Sequence, residues 1–86
     1  MLIRYFGAAK AAAGIEEEQL DMGPLTLAEL TEKLAARYPA QGAGVPALAT
    51  VIARSTFLVN ETAARYPGML LEADDVVDIL PPFAGG

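Results

Sequence analysis

The chain has 86 residues, enough for one small domain, and none of its apolar runs approaches the roughly 18 residues that a membrane span needs. Its formal net charge of −5 disfavours nucleic acid and anionic membranes, which bind basic surfaces, and favours a protein partner. It contains no cysteine and no histidine, so disulfides, thiolate nucleophiles, imidazole bases and the usual zinc sites are excluded, and with them most stand-alone enzymes.

The N-terminal segment predicts a strand rather than a targeting sequence. Residues 2–6 are apolar, aromatic and branched apart from Arg4, with Ile3 and Tyr5 on one face and Leu2 and Phe6 on the other. The segment is too short for the charged, apolar and small-residue regions of a signal peptide, so we expect a cytoplasmic protein.

The next two segments are weaker signals. The alanine-rich stretch from Gly7 to Gly14 predicts a short helical turn that ends at Gly14. The acidic stretch that follows predicts a second strand, with Glu18, Leu20 and Met22 on one face. We interpret the acids of residues 16–21 as a solvated surface rather than a metal or substrate site.

The best-defined element is a helix that starts at Thr26. Thr26 and Glu29 have the spacing of a capping box, and Leu25 and Leu30 that of a hydrophobic staple. The apolar residues Leu27, Leu30, Leu34 and Tyr38 recur with helical spacing, and Pro39 ends the helix. This stripe predicts a core face packed on a sheet.

The second half of the chain predicts a short helix and further strands. After a loop over 40–46, residues 47–53 favour a short helix, 56–59 a strand, 60–62 a turn and 63–66 a weak extended segment. A turn at Asp74-Asp75 precedes the last strand, Val76 to Leu80, whose β-branched residues are typical of a buried strand. The order predicts an α+β fold of the β-grasp pattern, in which a mixed, curled sheet of four to five strands packs on one main helix.

The last six residues form the strongest functional signal. Pro81 and Pro82 donate no main-chain hydrogen bond, end the last strand and favour an extended conformation. A tail of this length reaches roughly 20 Å at about 3.1–3.4 Å per residue, enough to enter an active site in another protein. We therefore divide the chain into a body, residues 1–80, and a tail, residues 81–86, in which Gly85 and Gly86 leave the terminal carboxylate unshielded.

Four segments carry a family resemblance: Ile3 to Gly7, Leu25 to Leu30, Leu58 to Asn60 and, above all, Val77 to Gly86. Together they resemble the sulfur-carrier family of MoaD/ThiS type, which shares the β-grasp fold of ubiquitin. Leu80-Pro81-Pro82 before the terminal glycines is similar to the molybdopterin synthase small-subunit branch. Asp74-Asp75 departs from the Gly-Asp that is common in the family, and residues 40–54 match nothing diagnostic.

The resemblance implies a specific chemistry for the tail. Gly86 would be adenylated by an ATP-using enzyme related to those that activate ubiquitin, converted to a thiocarboxylate with sulfur from a donor protein, and used to sulfurate a pyranopterin precursor. It implies no permanently bound cofactor and no metal site, and it makes Pro81, Pro82, Phe83, Ala84 and Gly85 the partner-binding residues. The implied partner is the synthase large subunit, in a heterotetramer, with the chain as its non-catalytic carrier subunit.

Several alternatives stay open on the sequence alone. The same tail would serve a carrier for thiamine thiazole, cysteine or transfer-RNA thiolation, a modifier that conjugates to lysines, or an interaction module in which Gly85-Gly86 merely ends the chain. A hydrolase is disfavoured because Ser55 and Thr56 have no histidine partner. Asp74, Asp75 and Asp78 are placed as turn and strand-exit acids ordinarily are, and they are too few for a calcium site.

Overall fold

The computed structural model describes residues 1–40, 42 and 44–82, and in this part of the chain seven strands and three helices follow one another. They are β1 (Leu2–Tyr5), α1 (Gly7–Ala13), β2 (Glu17–Gln19), β3 (Leu25–Thr26), α2 (Leu27–Arg37), α3 (Leu48–Ile52), β4 (Thr56–Val59), β5 (Thr62–Ala64), β6 (Leu70–Leu71) and β7 (Val76–Leu80).

The sheet is mixed and is organised around the two ends of the described chain. Its order is β2-β1-β7-β4-β5, so the last strand is central. β1 runs parallel to β7, with Ile3 opposite Val77, whereas the other neighbours are antiparallel. The predicted β-grasp architecture is confirmed, with five strands in the main sheet.

All three helices pack on one face of this sheet. Tyr5, Ile3, Val77 and Ile79 of the sheet are at most 1% exposed and lie in the core. The helices add Ala9, Ala12 and Ala13 from α1, Leu27, Leu30 and Leu34 from α2, and Leu48 and Val51 from α3. The predicted leucine stripe of α2 is therefore a core face. None of the described helices is long and apolar enough to cross a bilayer.

The predicted start of α2 is confirmed in detail. The Glu29 amide donates to the Thr26 hydroxyl oxygen at 3.1 Å, and the Thr26 amide donates to the Glu29 carboxylate at 2.8 Å, which is the reciprocal capping box. Leu25 is buried and belongs to β3, which pairs with β6 in a separate two-stranded ladder. This ladder was not predicted, because two-residue strands leave no periodic signal.

Two predicted boundaries are corrected. The second strand covers only Glu17–Gln19 and stops before Leu20, whose amide donates to the Met1 carbonyl. The turn after β4 has only two residues, Asn60 and Glu61, which both have positive φ, so that Thr62 already pairs with Val59. The short helix, predicted over 47–53, spans Leu48–Ile52.

One acid of the predicted solvated stretch is half-buried and bonded. Glu18 accepts hydrogen bonds from the Tyr5 hydroxyl at 2.7 Å, from the Tyr38 hydroxyl, and from Arg37 Nε at 3.0 Å. The rings of Tyr5 and Tyr38 meet edge to face with centroids 5.9 Å apart. The carboxylate thus ties the edge strand β2 to the C-terminal end of α2, and the solvated-surface interpretation was wrong for Glu18.

The same contacts set the charge state of Glu18. Burial alone would raise the pKa of Glu18, but hydrogen bonds from Tyr38 and Tyr5 and the charge of Arg37 lower that pKa overall. A carboxyl group with a lowered folded-state pKa contributes stability that is present above its unfolded pKa and is lost as the pH falls through the folded-state pKa.

Replacement of Glu18 by glutamine should therefore destabilise the fold in a pH-dependent way. We expect a loss on the order of 1 kcal/mol at neutral pH, because two tyrosines and an arginine lose a charged acceptor. The gap between wild type and Glu18→Gln in urea unfolding should shrink as the pH falls below about 4.5, the ordinary value of this group. The exposed Glu16→Gln is the control. A gap that stays constant down to acid pH would contradict the assignment.

Candidate functional site

The last strand, β7, is paired with a neighbouring strand on each of its two sides. Tyr5 is opposite Ile79 on the β1 side, and Thr56 is opposite Leu80 on the β4 side. The Phe6 amide donates to the Ile79 carbonyl at 3.3 Å, which extends the β1 contact by one residue. The strand is thus held by β1 up to Ile79 and by β4 up to Leu80.

Pro81 and Pro82 follow directly and end the ladder, as predicted. Neither residue has an amide proton to donate, so the strand pairing cannot continue through them. Pro81 is half-buried and Pro82 is exposed. Phe83, Ala84, Gly85 and Gly86 lie outside the described residues, and the roles predicted for them remain predictions.

The face of the sheet opposite the helices leads to this point. Because side chains alternate along a strand, the residues between the core positions lie on the other face. We call this surface the open sheet face; it comprises Leu2, Arg4, Leu58, Val76, Asp78 and Leu80. Among the described residues no helix packs on it, and its apolar members are half-buried. It is therefore an apolar surface continuous with the start of the tail.

An ion pair occupies the middle of the open sheet face. Arg4 and Asp78 are directly opposite in the parallel pair β1–β7. Arg4 Nε donates to Asp78 Oδ1 at 2.5 Å and Nη2 donates to Oδ2 at 2.9 Å, a bidentate arrangement. Asp78 is only 5% exposed, and the hydrogen bond to it raises the pKa of Arg4. The pair places an ordered, formally neutral ion pair in an apolar surface.

The sequence did not reveal this pair, although both residues stand out once the register is known. Each is the only charged residue of its strand. Asp78 was interpreted as an ordinary acid at the exit of a strand, and this is wrong, because it is buried in the sheet interior. The sequence signal was one charged residue inside each of two apolar strands. Only the pairing of the strands in the structure shows that these two residues form an ion pair.

The other acids near the last strand have structural roles. Asp75 accepts hydrogen bonds from the Asn60 side chain at 2.9 Å and from the Glu72 amide at 2.7 Å, which joins the two turns at one end of the sheet.

Ser55 donates its hydroxyl hydrogen to the Val51 carbonyl, as a helix-end residue does. Within residues 1–40, 42 and 44–82, no group of three or more acids is arranged to hold a metal ion.

Comparisons with known proteins agree with the fold. A model of the ThiS family matches residues 3–86. The crystal structure of SAMP1 from Haloferax volcanii has a TM-score of 0.74 and 24% identity and covers 100% of this chain and 98% of that one. A second H. volcanii structure, of small archaeal modifier protein 1, has a TM-score of 0.70 and 22% identity, covering 95% of each chain.

A third similar structure comes from Pyrococcus furiosus and is of a protein assigned as molybdopterin converting factor, subunit 1. Its TM-score is 0.68 and its identity 23%, with 94% of each chain covered. No curated protein matches the chain. At identities below 25% these structures establish the fold, and the family follows from the match over residues 3–86.

Loss of Arg4 alone should be worse than loss of the whole ion pair. Arg4→Met leaves the buried Asp78 carboxylate without its cation, whereas the double variant Arg4→Met/Asp78→Leu leaves no charge to compensate. In urea unfolding we expect the double variant to have the higher midpoint of the two. Arg54→Met, which removes an exposed arginine elsewhere, is the control. If Arg4→Met were as stable as Arg54→Met in urea unfolding, the ion pair would make no contribution to the stability of the fold.

Proposed function

This chain belongs to the ThiS family of ubiquitin-like sulfur carriers, and we propose that it carries sulfur as a thiocarboxylate on Gly86. The observation that supports this assignment most strongly is the junction at the end of β7. The chain is paired with β1 up to Ile79 and with β4 up to Leu80, and its sequence then continues as Pro81-Pro82-Phe83-Ala84-Gly85-Gly86. The family match extends through both glycines.

The proposed chemistry places only the acyl group on this chain. A carboxylate is a poor electrophile, so the Gly86 carboxyl is first joined to AMP by an ATP-using activating enzyme, with pyrophosphate as the leaving group. The persulfide sulfur of a donor protein then displaces AMP, and a thiol of a partner protein cleaves the resulting acyl disulfide, which leaves the thiocarboxylate and a protein disulfide. The chain contains no cysteine or histidine, so nucleophiles and proton transfers come from the partner enzymes.

Within this chemistry we assign the chain to molybdopterin synthesis. Leu80-Pro81-Pro82 ahead of the glycines supports the small-subunit branch. The chain would then be the sulfur-carrying subunit of a cytoplasmic heterotetramer, and the large subunit would transfer sulfur from Gly86 to the pyranopterin precursor. Recovery of that large subunit in a pull-down would separate this pathway from thiamine, cysteine or transfer-RNA thiolation, which need the same tail.

The open sheet face is the proposed contact surface for these enzymes. It combines half-buried apolar residues, Leu2, Leu58, Val76 and Leu80, with the charge of Arg4, and it ends where the tail begins. An apolar area around one ordered charge is the composition of a specific protein interface. A partner that covers this face receives the tail at its edge.

Conjugation to lysine is the second candidate use of the same terminus. One of the similar structures is named as a modifier protein, and an acyl adenylate on Gly86 is an electrophile for an amine as well as for sulfur. In that case the lysine nitrogen would replace AMP and form an isopeptide bond. The two uses share activation and differ in the acceptor.

Intact-mass analysis tests the principal assignment. Protein produced together with its activating enzyme and sulfur donor should show the mass increase that corresponds to replacement of one oxygen by sulfur at Gly86. A variant with one alanine added after Gly86 should show none, because the reactive glycine is no longer terminal. Unmodified carboxylate in the presence of a demonstrably active enzyme would refute the assignment.

An arginine placed before the glycines would reveal conjugation. Trypsin cleaves after arginine, and the last arginine of the chain is Arg65, so a wild-type conjugate leaves a long remnant on the target lysine. Ala84→Arg shortens that remnant to Gly-Gly, which peptide mass spectrometry identifies. If the chain is a carrier and not a modifier, lysines with a Gly-Gly remnant should be no more abundant than in a control, the Ala84→Arg variant without Gly86. Abundant Gly-Gly lysines would favour the modifier.

A further inference from the structure

A groove of about 310 Å³ lies on the helix side of the sheet, at the β5 edge. Its apolar lining comes from three directions: Leu27 from α2, Ile52 from α3, and Phe57 and Ala64 from the sheet. Phe57, Ile52 and Ala64 are half-buried, so part of their apolar surface faces the groove and not the core. Tyr66, which is 62% exposed, stands at its rim.

One wall of the groove is the free edge of the main sheet. Among the described residues, β5 is the last strand in the order and pairs only with β4. In an antiparallel pair, alternate residues turn their N–H and C=O groups away from the neighbour, so β5 presents unpaired main-chain groups outwards. Its residues, Thr62, Ala63 and Ala64, include neither a charge nor a proline. β5 therefore lacks the usual side-chain protection of an edge strand.

The opposite edge of the sheet provides a contrast. There β2 carries Glu17 and is flanked by Glu16, and both side chains are exposed. Negative charges of this kind discourage strand addition. The two edges of the sheet thus differ: β2 contains the exposed Glu17, whereas β5 contains no charge between its flanking residues Glu61 and Arg65, so the edge beside the apolar groove is the less protected one.

Positive charge collects around the groove. Arg65 follows β5 directly and lines the groove, and Arg54 lies between the lining residues Ala53 and Ser55. Both arginines are exposed, and neither takes part in an ion pair within the described residues, whereas Arg4 and Arg37 are bonded to Asp78 and Glu18. In a chain of net charge −5, one such cation in the groove lining, Arg65, with Arg54 next to two lining residues in the sequence, is complementary to carboxylates.

We propose that this groove binds an extended acidic segment of a partner protein, which adds a strand to β5. Every second side chain of the segment packs on Phe57, Ile52 and Leu27, and carboxylates pair with Arg65 and Arg54. The groove is on the face opposite the open sheet face, so the segment can stay bound while the tail is in use. This second docking site is independent of the chemistry at Gly86.

A short-peptide display library selected on the immobilised full-length protein tests the surface. The enriched peptides should alternate apolar residues and carry at least one Asp or Glu. For the best synthetic peptide, Arg65→Glu should weaken binding about tenfold or more, since opposite charges become like charges. Lys33→Glu, a matched charge reversal on α2 beside Glu29, should leave binding unchanged. Amide NMR shifts should be centred on Ala64 and Phe57.

Backbone methylation of the peptide tests strand addition itself. Methylation of the amides that face β5 removes the hydrogen bonds to the edge, whereas methylation of the alternate amides leaves them intact. Of the two peptides with alternate methylation, one should lose binding and the other should retain it. Ala64→Phe, which fills the groove without a change of charge, should also abolish binding, provided that its thermal unfolding matches wild type.

Several outcomes would overturn the assignment. The first is a peptide library that yields no binder, or binders without enrichment of Asp and Glu. The second is peptide binding that Arg65→Glu does not weaken. The third is a set of amide NMR shifts that map to the open sheet face. Binding that appears only after removal of residues 83–86 would identify the chain's own tail as the occupant. A dimer that dissociates in Arg65→Glu, seen in sedimentation, would identify a second copy instead.

Discussion

The pairing of the first strand with the last is the constraint on which the rest of this molecule depends. Ile3 and Val77 are 74 positions apart in the chain and directly opposite in the sheet. This one pairing places the last strand in the centre, brings the core residues of both strands under the three helices, and fixes the position at which the tail begins. Contacts of such long sequence separation carry a larger loop-closure entropy cost than local ones and slow the folding of small domains.

The parallel register has a second consequence on the opposite face. It sets Arg4 against Asp78, so that a buried carboxylate meets a guanidinium whose planar geometry suits two hydrogen bonds. A slip of one residue would turn Asp78 towards the core and leave it without a partner. The ion pair therefore discriminates against wrong registers, whatever its net contribution to stability. It also gives an apolar surface one ordered charge beside the start of the tail.

The proposed role divides the labour between body and tail. In this role the body, which is acidic and contains no cysteine or histidine, would be the platform, and the tail would present one acyl group to enzymes that supply the catalysis. A platform of this kind can dock through its open sheet face during transfer. The apolar groove at β5 would add a second binding site on the other face. Such a site would keep the body attached to an activating or transferring enzyme while the tail moves between acceptors.

The sequence by itself determined the local elements and the family resemblance. A capping box, a leucine stripe and a β-branched run specify their own conformations through neighbours a few residues away, and the tail motif is contiguous, so these could be predicted. Within the described chain, the tertiary structure alone decided the two-residue ladder of β3 and β6, the bonding of Glu18 by Tyr5 and Tyr38, the Arg4–Asp78 pair and the groove beside β5. Each of these joins residues that are distant in the chain. No periodicity records which strand becomes the neighbour of which, because register is settled by the packing of the whole core.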